Sequence, residues 1–455
     1  MTEARPREPA PHPSARRGGF SVLRHRAFLL IWSGALISNL GNWMETVGQS
    51  WLVQRQTHSP FLVELLAASE FVPAALLLLW AGRLADTMDR RRLLIGGQIL
   101  MMFIAGLLAV LTHLGLASAW VVIAISFAEG AAWSLVQPAW QTLAPSLVPR
   151  DELPQAIALN SAQFNTARLA GPVLAGALLA ASGAALVFDV NTLSFVAIVV
   201  ALYFVRLPSA ASQPAKDATG TVDAREIGAA LQWVKRSPGP RRILIGVSVF
   251  TFFSAPVQGL LAVFADSELH VGPNGYGILL SALGGGAICG ALALGRVVPR
   301  GYPRHHLIPL SMLGFSICAL VHGFSHSMIL SCCALAVGGL FWVWALNSSN
   351  TAIQLLLPET LRGRGMSLFS LSTLGLLPLG HLLAGALADR LGPHAAVIAM
   401  AAVLMLFSLW SAWQREPAID AQERREPPAQ QSFTDALWET LSAESHWTQK
   451  LPPGS

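Results

Sequence analysis

The chain has 455 residues, of which 53% are hydrophobic and only 12% charged, against roughly 25% charge in an ordinary soluble domain. That balance excludes a soluble enzyme, a secreted disulfide scaffold and a disordered chain, and apolar residues spread over nearly the whole length also exclude a single-span receptor. The formal net charge of +5 fits basic membrane-protein loops better than a nucleic-acid surface.

Residues 1–27 are basic and Pro-rich and predict a cytoplasmic arm without a cleavable signal. Helices are then expected over 28–54, 59–82, 93–113, 118–145, 155–181 and 184–205, a first six-helix bundle spanning 28–205. The polar stretch 206–241 reads as a cytoplasmic linker, with an amphipathic helix over 223–236. The second bundle, 242–414, is expected to hold helices over 242–265, 275–296, 306–322, 327–357, 365–388 and 393–414. Residues 415–455 read as a polar cytoplasmic tail with a short helix over Phe433–Leu441. The sequence thus predicts an all-α membrane protein of twelve transmembrane helices in two pseudo-symmetric six-helix bundles. Cys289, Cys318, Cys332 and Cys333 lie in apolar runs without disulfide or metal spacing, and His305-His306 lacks metal spacing too, so no metal or cofactor is expected.

Lys and Arg are distributed unevenly. Of 30 in all, 27 fall on one side of the expected helices; Arg55 and Arg390 fall on the other, and Arg168 lies inside helix 5. This asymmetry predicts that both termini are cytoplasmic. The halves also repeat. A shift of 213 carries Pro60, Gly82 and Arg83 onto Pro273, Gly295 and Arg296. A shift of 209 carries Gly130, Trp133, Pro149, Gly171, Gly176 and Gly183 onto Gly339, Trp342, Pro358, Gly380, Gly385 and Gly392. Two like-oriented repeats imply a pseudo-two-fold axis along the membrane normal, with a substrate site between the halves.

The run Gly82-Arg83-Leu84-Ala85-Asp86-Thr87-Met88-Asp89-Arg90-Arg91-Arg92, at the end of helix 2, resembles the signature loop of the major facilitator superfamily. The resemblance implies that fold and a gate built from Gly82, Asp86, Arg90, Arg91 and Arg92, with Asp86 against the positive N-terminus of helix 11. Asp89 stands where the family has glycine. In helix 5, Asn165-Thr166-Ala167-Arg168-Leu169-Ala170-Gly171-Pro172-Val173-Leu174-Ala175-Gly176 resembles the Gly-Pro motif of antiporter-type members. Gly171 and Gly176 offer a flat packing face, and Pro172 bends the helix and frees a carbonyl. With Leu40-Gly41-Asn42-Trp43-Met44 and Trp51-Leu52-Val53, the chain resembles bacterial exporters of the enterobactin-exporter and drug-efflux branch over residues 20–415. The helix-4 arginine that couples protons in many antiporters is absent; Ile125 to Trp133 holds Glu129 instead.

Charge at membrane depth is costly and faces a cavity or a partner. The candidates are Glu45, Glu70, Glu129, Arg168 and Asp189 in the first half, with His381 and Asp266 in the second. Glu45, Glu129, Arg168 and Asp189 form the expected coupling set. Glu129 and Arg168 lie at similar depth, so they can pair, either around a mobile proton or as a static lock between helices 4 and 5. The resemblance lines the cavity with helices 1, 4, 7 and 10. Their wall candidates are Asn39, Trp43, Trp133, Gln137, Trp140, Gln141, Phe253, Gln258, Trp342, Asn347 and Asn350. Aromatic faces with amides suit a bulky, partly aromatic amphiphile.

The expected function is therefore monomeric secondary transport: export of a hydrophobic or amphiphilic small molecule, siderophore- or drug-like, across the cytoplasmic membrane. Proton antiport and alternating access would drive it. Its partners would be the cargo and the lipid bilayer, with no nucleic acid. An uncoupled facilitator, a carrier of lipid-like cargo and a transport-inactive scaffold are the alternatives. Against a membrane-embedded enzyme stands the lack of any convergent nucleophile, metal or phosphate chemistry in the sequence.

Overall fold

In hydrocarbon every backbone N–H and C=O needs an internal partner, so long apolar runs fold as helices. The computed structural model describes residues 21–205, 224–297, 304–358 and 361–414. Side chains at 75, 78–87, 142, 144–146, 150, 224–227, 229–230, 297, 305 and 362 also lie outside what is described. The first half holds α1 (Arg26–Thr57), α2 (Pro60–Thr87), α3 (Arg90–His113), α4 (Ala119–Ser146), α5 (Leu153–Ser182) and α6 (Ala184–Phe204). A linker helix, α7 (Ala224–Arg236), falls on the expected amphipathic stretch. The second half holds α8 (Pro238–Gly259), α9 (Gly272–Val297), α10 (Arg304–Gly323), α11 (Met328–Leu356), α12 (Arg362–Leu374), α13 (Leu377–Leu391) and α14 (Pro393–Trp413). Among the described residues, ten helical segments are long and apolar enough to cross a membrane. α1 and α2, which carry Glu45, Glu64 and Glu70, are as long. The expected tail helix over Phe433–Leu441 lies outside the described residues.

Two expected helices are interrupted, each for a covalent reason. α8 pauses at Leu260 after Pro256 and Gly259, then runs through Leu261–Val263 into a π-helical turn, Phe264–Glu268. Proline removes a helical donor, and π-turns locally unwind a helix. The eleventh expected helix divides into α12 and α13 around Gly375-Leu376. Pro378 cannot bond the carbonyl of Leu374, where α12 stops.

Packing explains the internal repeat. α2 packs on α4, and α9 packs on α11. A Cβ at Gly130 would lie 2.1 Å from the carbonyl oxygen of Glu70, and one at Gly339 would lie 2.1 Å from that of Leu283. The 213 shift carries Glu70 onto Leu283. Each glycine therefore marks one backbone-to-backbone helix contact made twice. Gly183 and Gly392, also a repeat pair, turn the chain between α5 and α6 and between α13 and α14 with φ of 79° and 87°. A side chain is strained there.

The halves meet through α5 against α9 and α2 against α13. Both meetings lie at the end of the molecule that carries Arg55 and Arg390, here called the charge-poor end.

Candidate functional site

Arg168 lies midway along α5, Trp43 near the middle of α1, and Trp342 midway along α11. These three helices bring one cation and two indoles together between the halves. The guanidinium carbon is 5.0 Å from the Trp342 ring centroid and 5.8 Å from that of Trp43, within cation–π range. Phe164, one turn along α5, meets Trp43 edge-on at 6.3 Å and is exposed. Gly171 permits this arrangement: a Cβ there would sit 2.6 Å from Cβ of Trp43.

The expected Glu129–Arg168 pair is not formed. Glu129 accepts instead from Gln49 Nε2 at 2.9 Å. Glu45, one turn before Gln49 on α1, accepts from Asn191 Nδ2 of α6. Ser194 Oγ donates to Asn191 Oδ1 at 3.1 Å and so orients the amide toward Glu45. Gly41 lets α6 come this close, since a Cβ there would collide with Ser194 and Asn191. The Glu45 and Glu129 carboxyls are neighbours. Each leaves Oε1 buried with no hydrogen-bond partner among the described residues. The first half thus holds two adjacent buried carboxyls with an amide on each. Asp189 is no part of it: it sits near the start of α6, paired with His113 Nε2 at 2.8 Å, and both are substantially exposed. Glu70 is exposed as well.

A second polar set crosses between the halves at the charge-poor end. The His381 imidazole of α13 hydrogen-bonds the Glu64 carboxyl of α2. Both are buried, at 4% and 0% exposure. Phe71 stacks parallel to the imidazole, with centroids 6.4 Å apart. Asp266 accepts from Gln54 at 3.1 Å and pairs with Arg55 at 3.2 Å. Asp389 accepts the backbone N–H of Phe61 at 2.9 Å and the Ser59 hydroxyl, at the N-terminus of α2. A carboxylate against a helix N-terminus is favourable there. Glu64, Gln49 and Asn191 were not among the residues singled out from the sequence. The signal for Gln49 was its place one turn from Glu45. For Glu64 it was the repeat, which sets a buried acid opposite Gly277.

The signature-loop residues divide between two jobs. Asp89 caps α3, its carboxylate accepting from Arg92 N at 2.9 Å. This explains an aspartate where the family has glycine: the turn is closed by a side chain. Arg91 donates to the Leu202 and Tyr203 carbonyls at the end of α6, a C-terminal cap within the first half. Arg90 and Arg92 lie in the first turn of α3. The side chains of Gly82 and Asp86 lie outside the described residues, so the expected contact with the eleventh helix does too.

Of the wall candidates, Trp140 is half-buried and packs against the first-half core cluster that holds Leu94, Val136 and Phe195. Trp133 and Gln141 are exposed, and Gln137 lies between them on the same stripe of α4. On α11, Asn347 is exposed and Asn350 accepts from Gln354. Asn39, Phe253 and Gln258 are half-buried.

Residues 17–441 match the model of a family described as transmembrane secretion effectors, within the major facilitator superfamily. The chain belongs to that family. Family members of this kind are transporters, not enzymes, and this chain is a multi-pass membrane transporter. It is 25% identical to the staphyloferrin A transporter of Staphylococcus aureus, over 79% of this chain and 89% of that one. It is 26% identical to the multidrug efflux pump Tap of Mycolicibacterium fortuitum, over 84% of this chain and 94% of the pump. Among solved structures, a peptide transporter of the POT family superposes with a TM-score of 0.69 at 15% identity, covering 87% of this chain and 95% of that one. This last likeness concerns the fold alone.

Proposed function

We propose that this transporter exports a bulky amphiphilic small molecule, siderophore- or drug-like, across the cytoplasmic membrane by proton antiport and alternating access. The observation that carries the reading is where the halves touch. Gly176 against Pro273, Ser281 Oγ on the Leu169 carbonyl at 2.7 Å, Gly385 against Phe61, and Glu64 with His381 all lie at the charge-poor end. The concentration of Lys and Arg in the sequence segments that flank the other helix ends supports a cytoplasmic place for that end and for both termini. The chain is then held closed outside, one of the two states alternating access needs. Asp86 at the cytoplasmic end of α2 belongs to the reverse state, closed inside. The cargoes of these relatives, a siderophore and multiple drugs, support the cargo class.

Proton coupling is supported by the buried acids. The Glu45–Glu129 pair lies inside the first half, and Glu64–His381 spans the two halves. Protonation removes the cost of charge in a low-dielectric interior, so proton binding and helix packing are linked. The test is the full chain in liposomes with an imposed pH gradient, using staphyloferrin A, a macrolide and ethidium as probes. At least one probe should move faster with the gradient, an uncoupler should abolish the gain, and Glu129→Gln should remove it. Movement indifferent to gradient and uncoupler would make the protein a facilitator. No movement of any probe would overturn the cargo class.

A further inference from the structure

We propose that Arg168, between the indoles of Trp43 and Trp342, is the cargo-binding cation, and that the cargo carries a carboxylate on a planar aromatic or conjugated group. The proposal rests on the transport reading and names the cargo chemistry of the site between the halves.

Three observations converge. First, Arg168 has no acidic partner among the described residues. It makes no ion pair or hydrogen bond there, while these membrane-depth carboxyls are engaged elsewhere: Glu45 with Asn191, Glu129 with Gln49, and Glu64 with His381. An arginine at mid-span without an anion is costly, and arginines at membrane depth mark substrate paths. The two ring faces offset part of that cost, yet a ring face is no conventional hydrogen-bond acceptor, and the guanidinium N–H groups have none among the described residues. Its in-plane N–H fork stays available for a bidentate anion.

Second, Arg168 stands where the halves part. Toward the charge-poor end, α5 is pressed on α9: a Cβ at Gly277 would lie 2.2 Å from the Pro172 carbonyl oxygen, and Ser281 bonds the Leu169 carbonyl. At Gly284 the contact has relaxed to 3.4 Å from the Arg168 carbonyl oxygen. One turn further toward the charge-rich end, Ser161 and Phe164 of α5 are exposed. Arg168 therefore lies at the closed end of the space between the halves.

Third, the surround is aromatic on both sides, with Trp43 and Phe164 from one half and Trp342 from the other. A ligand gripped there touches both halves at once, as a cargo that biases their relative position must. Indole faces select a planar apolar body, and the guanidinium selects its anionic group.

The experiment is equilibrium binding of labelled 1-naphthoate to the full chain in lipid nanodiscs, against the neutral 1-naphthamide and the cationic 1-naphthylmethylamine. The wild type should prefer naphthoate to naphthamide by about tenfold or more, the gain of a charge-assisted bidentate contact, and reject the amine. Arg168→Gln should bring naphthoate and naphthamide level, whereas Arg168→Lys should keep part of the preference. Trp342→Leu should weaken both by a similar factor. A wild type that does not discriminate, or an Arg168→Gln protein that still does, would overturn the assignment. Because the wild-type comparison needs no variant, a misfolded Arg168→Gln protein leaves the proposal open to refutation.

Two further arms separate neighbouring explanations. Raising phosphatidylglycerol in the discs should leave naphthoate affinity unchanged. Competition by that lipid, lost in Arg168→Gln, would give the guanidinium to a headgroup phosphate and sink the cargo assignment. Binding is also read without transport. Discrimination in a protein that moves no probe keeps the site and rejects the export reading, and gradient-driven movement without discrimination does the reverse.

Discussion

The two main helix-to-helix contacts between the halves are built on one plan and finished differently. In the first, Gly176 of α5 packs on Pro273 and Asn274 at the start of α9. In the second, Gly385 of α13 packs on Phe61 and Glu64 at the start of α2. These are the same positions under the repeat. One turn inward the contents diverge. The first contact sets Gly277 against the Pro172 carbonyl. The second sets Glu64 against His381, which occupy the positions equivalent to Gly277 and Pro172. At the rim, Asp389 bonds the N-terminus of α2, where its repeat partner is Ala180. One contact is a dry seal of small residues. The other holds a titratable pair and a carboxylate on a helix end. The repeat accounts for the shared geometry, and substitution has put an ionisable pair into the second contact where the first has Gly277 and Pro172.

The comparison breaks most sharply at His381. Its removal leaves a fully buried Glu64 carboxyl without its partner, and breaking a buried pair costs about 3–5 kcal/mol. We expect His381→Ala to lower the unfolding temperature of the purified protein markedly, and the double change with Glu64→Gln to recover much of the loss. Additive losses in the double variant would mean that the two groups act independently.

The dry contact should fail for steric reasons alone. Gly277→Ala presses a methyl onto the Pro172 carbonyl, and overpacking of this kind costs about 1–3 kcal/mol. Under the proposed alternating access, two states lie only a few kcal/mol apart, so the charge-poor end should open at any pH. In a cysteine-free background, Ser281→Cys should then label at least several-fold faster from that side. Unchanged labelling would show that this seal does not hold the closed state.

A smaller effect is expected at Asp389. A carboxylate on a helix N-terminus is worth about 0.3–1 kcal/mol when exposed, so Asp389→Asn should raise the same labelling rate only about two- to five-fold. The least effect on the halves should come from Asp89→Ala. It removes the α3 cap at a cost of about 1 kcal/mol in stability, within one half, and should leave Ser281→Cys labelling unchanged. A shift there would mean that the signature loop communicates with the opposite end through α3.

The sequence by itself determined the all-helical class, the order of the long apolar helices, the internal repeat and the membrane setting. Hydrocarbon length and backbone satisfaction leave little choice once the apolar runs are set. The glycine spacing was legible for the same reason: Gly130 with Gly339, and Gly183 with Gly392, mark close approach or a positive φ that no other residue meets cheaply. Only the tertiary structure decided which side chains meet. Glu129 and Arg168 lie at matching depth, yet depth is one coordinate, and the rotation of α4 and α5 turns Glu129 to Gln49 and Arg168 to the two indoles. Asp189 counts as intramembrane along the chain, but its helix delivers it to His113 near the end of α3. Trp140 shares a helix with Trp133 and Gln137, but a few residues of helical rotation turn it against the first-half core. Periodicity fixes where a residue lies along a helix axis. Its partner depends on the azimuth of each helix and on contacts hundreds of residues away in sequence, as with Glu64 and His381.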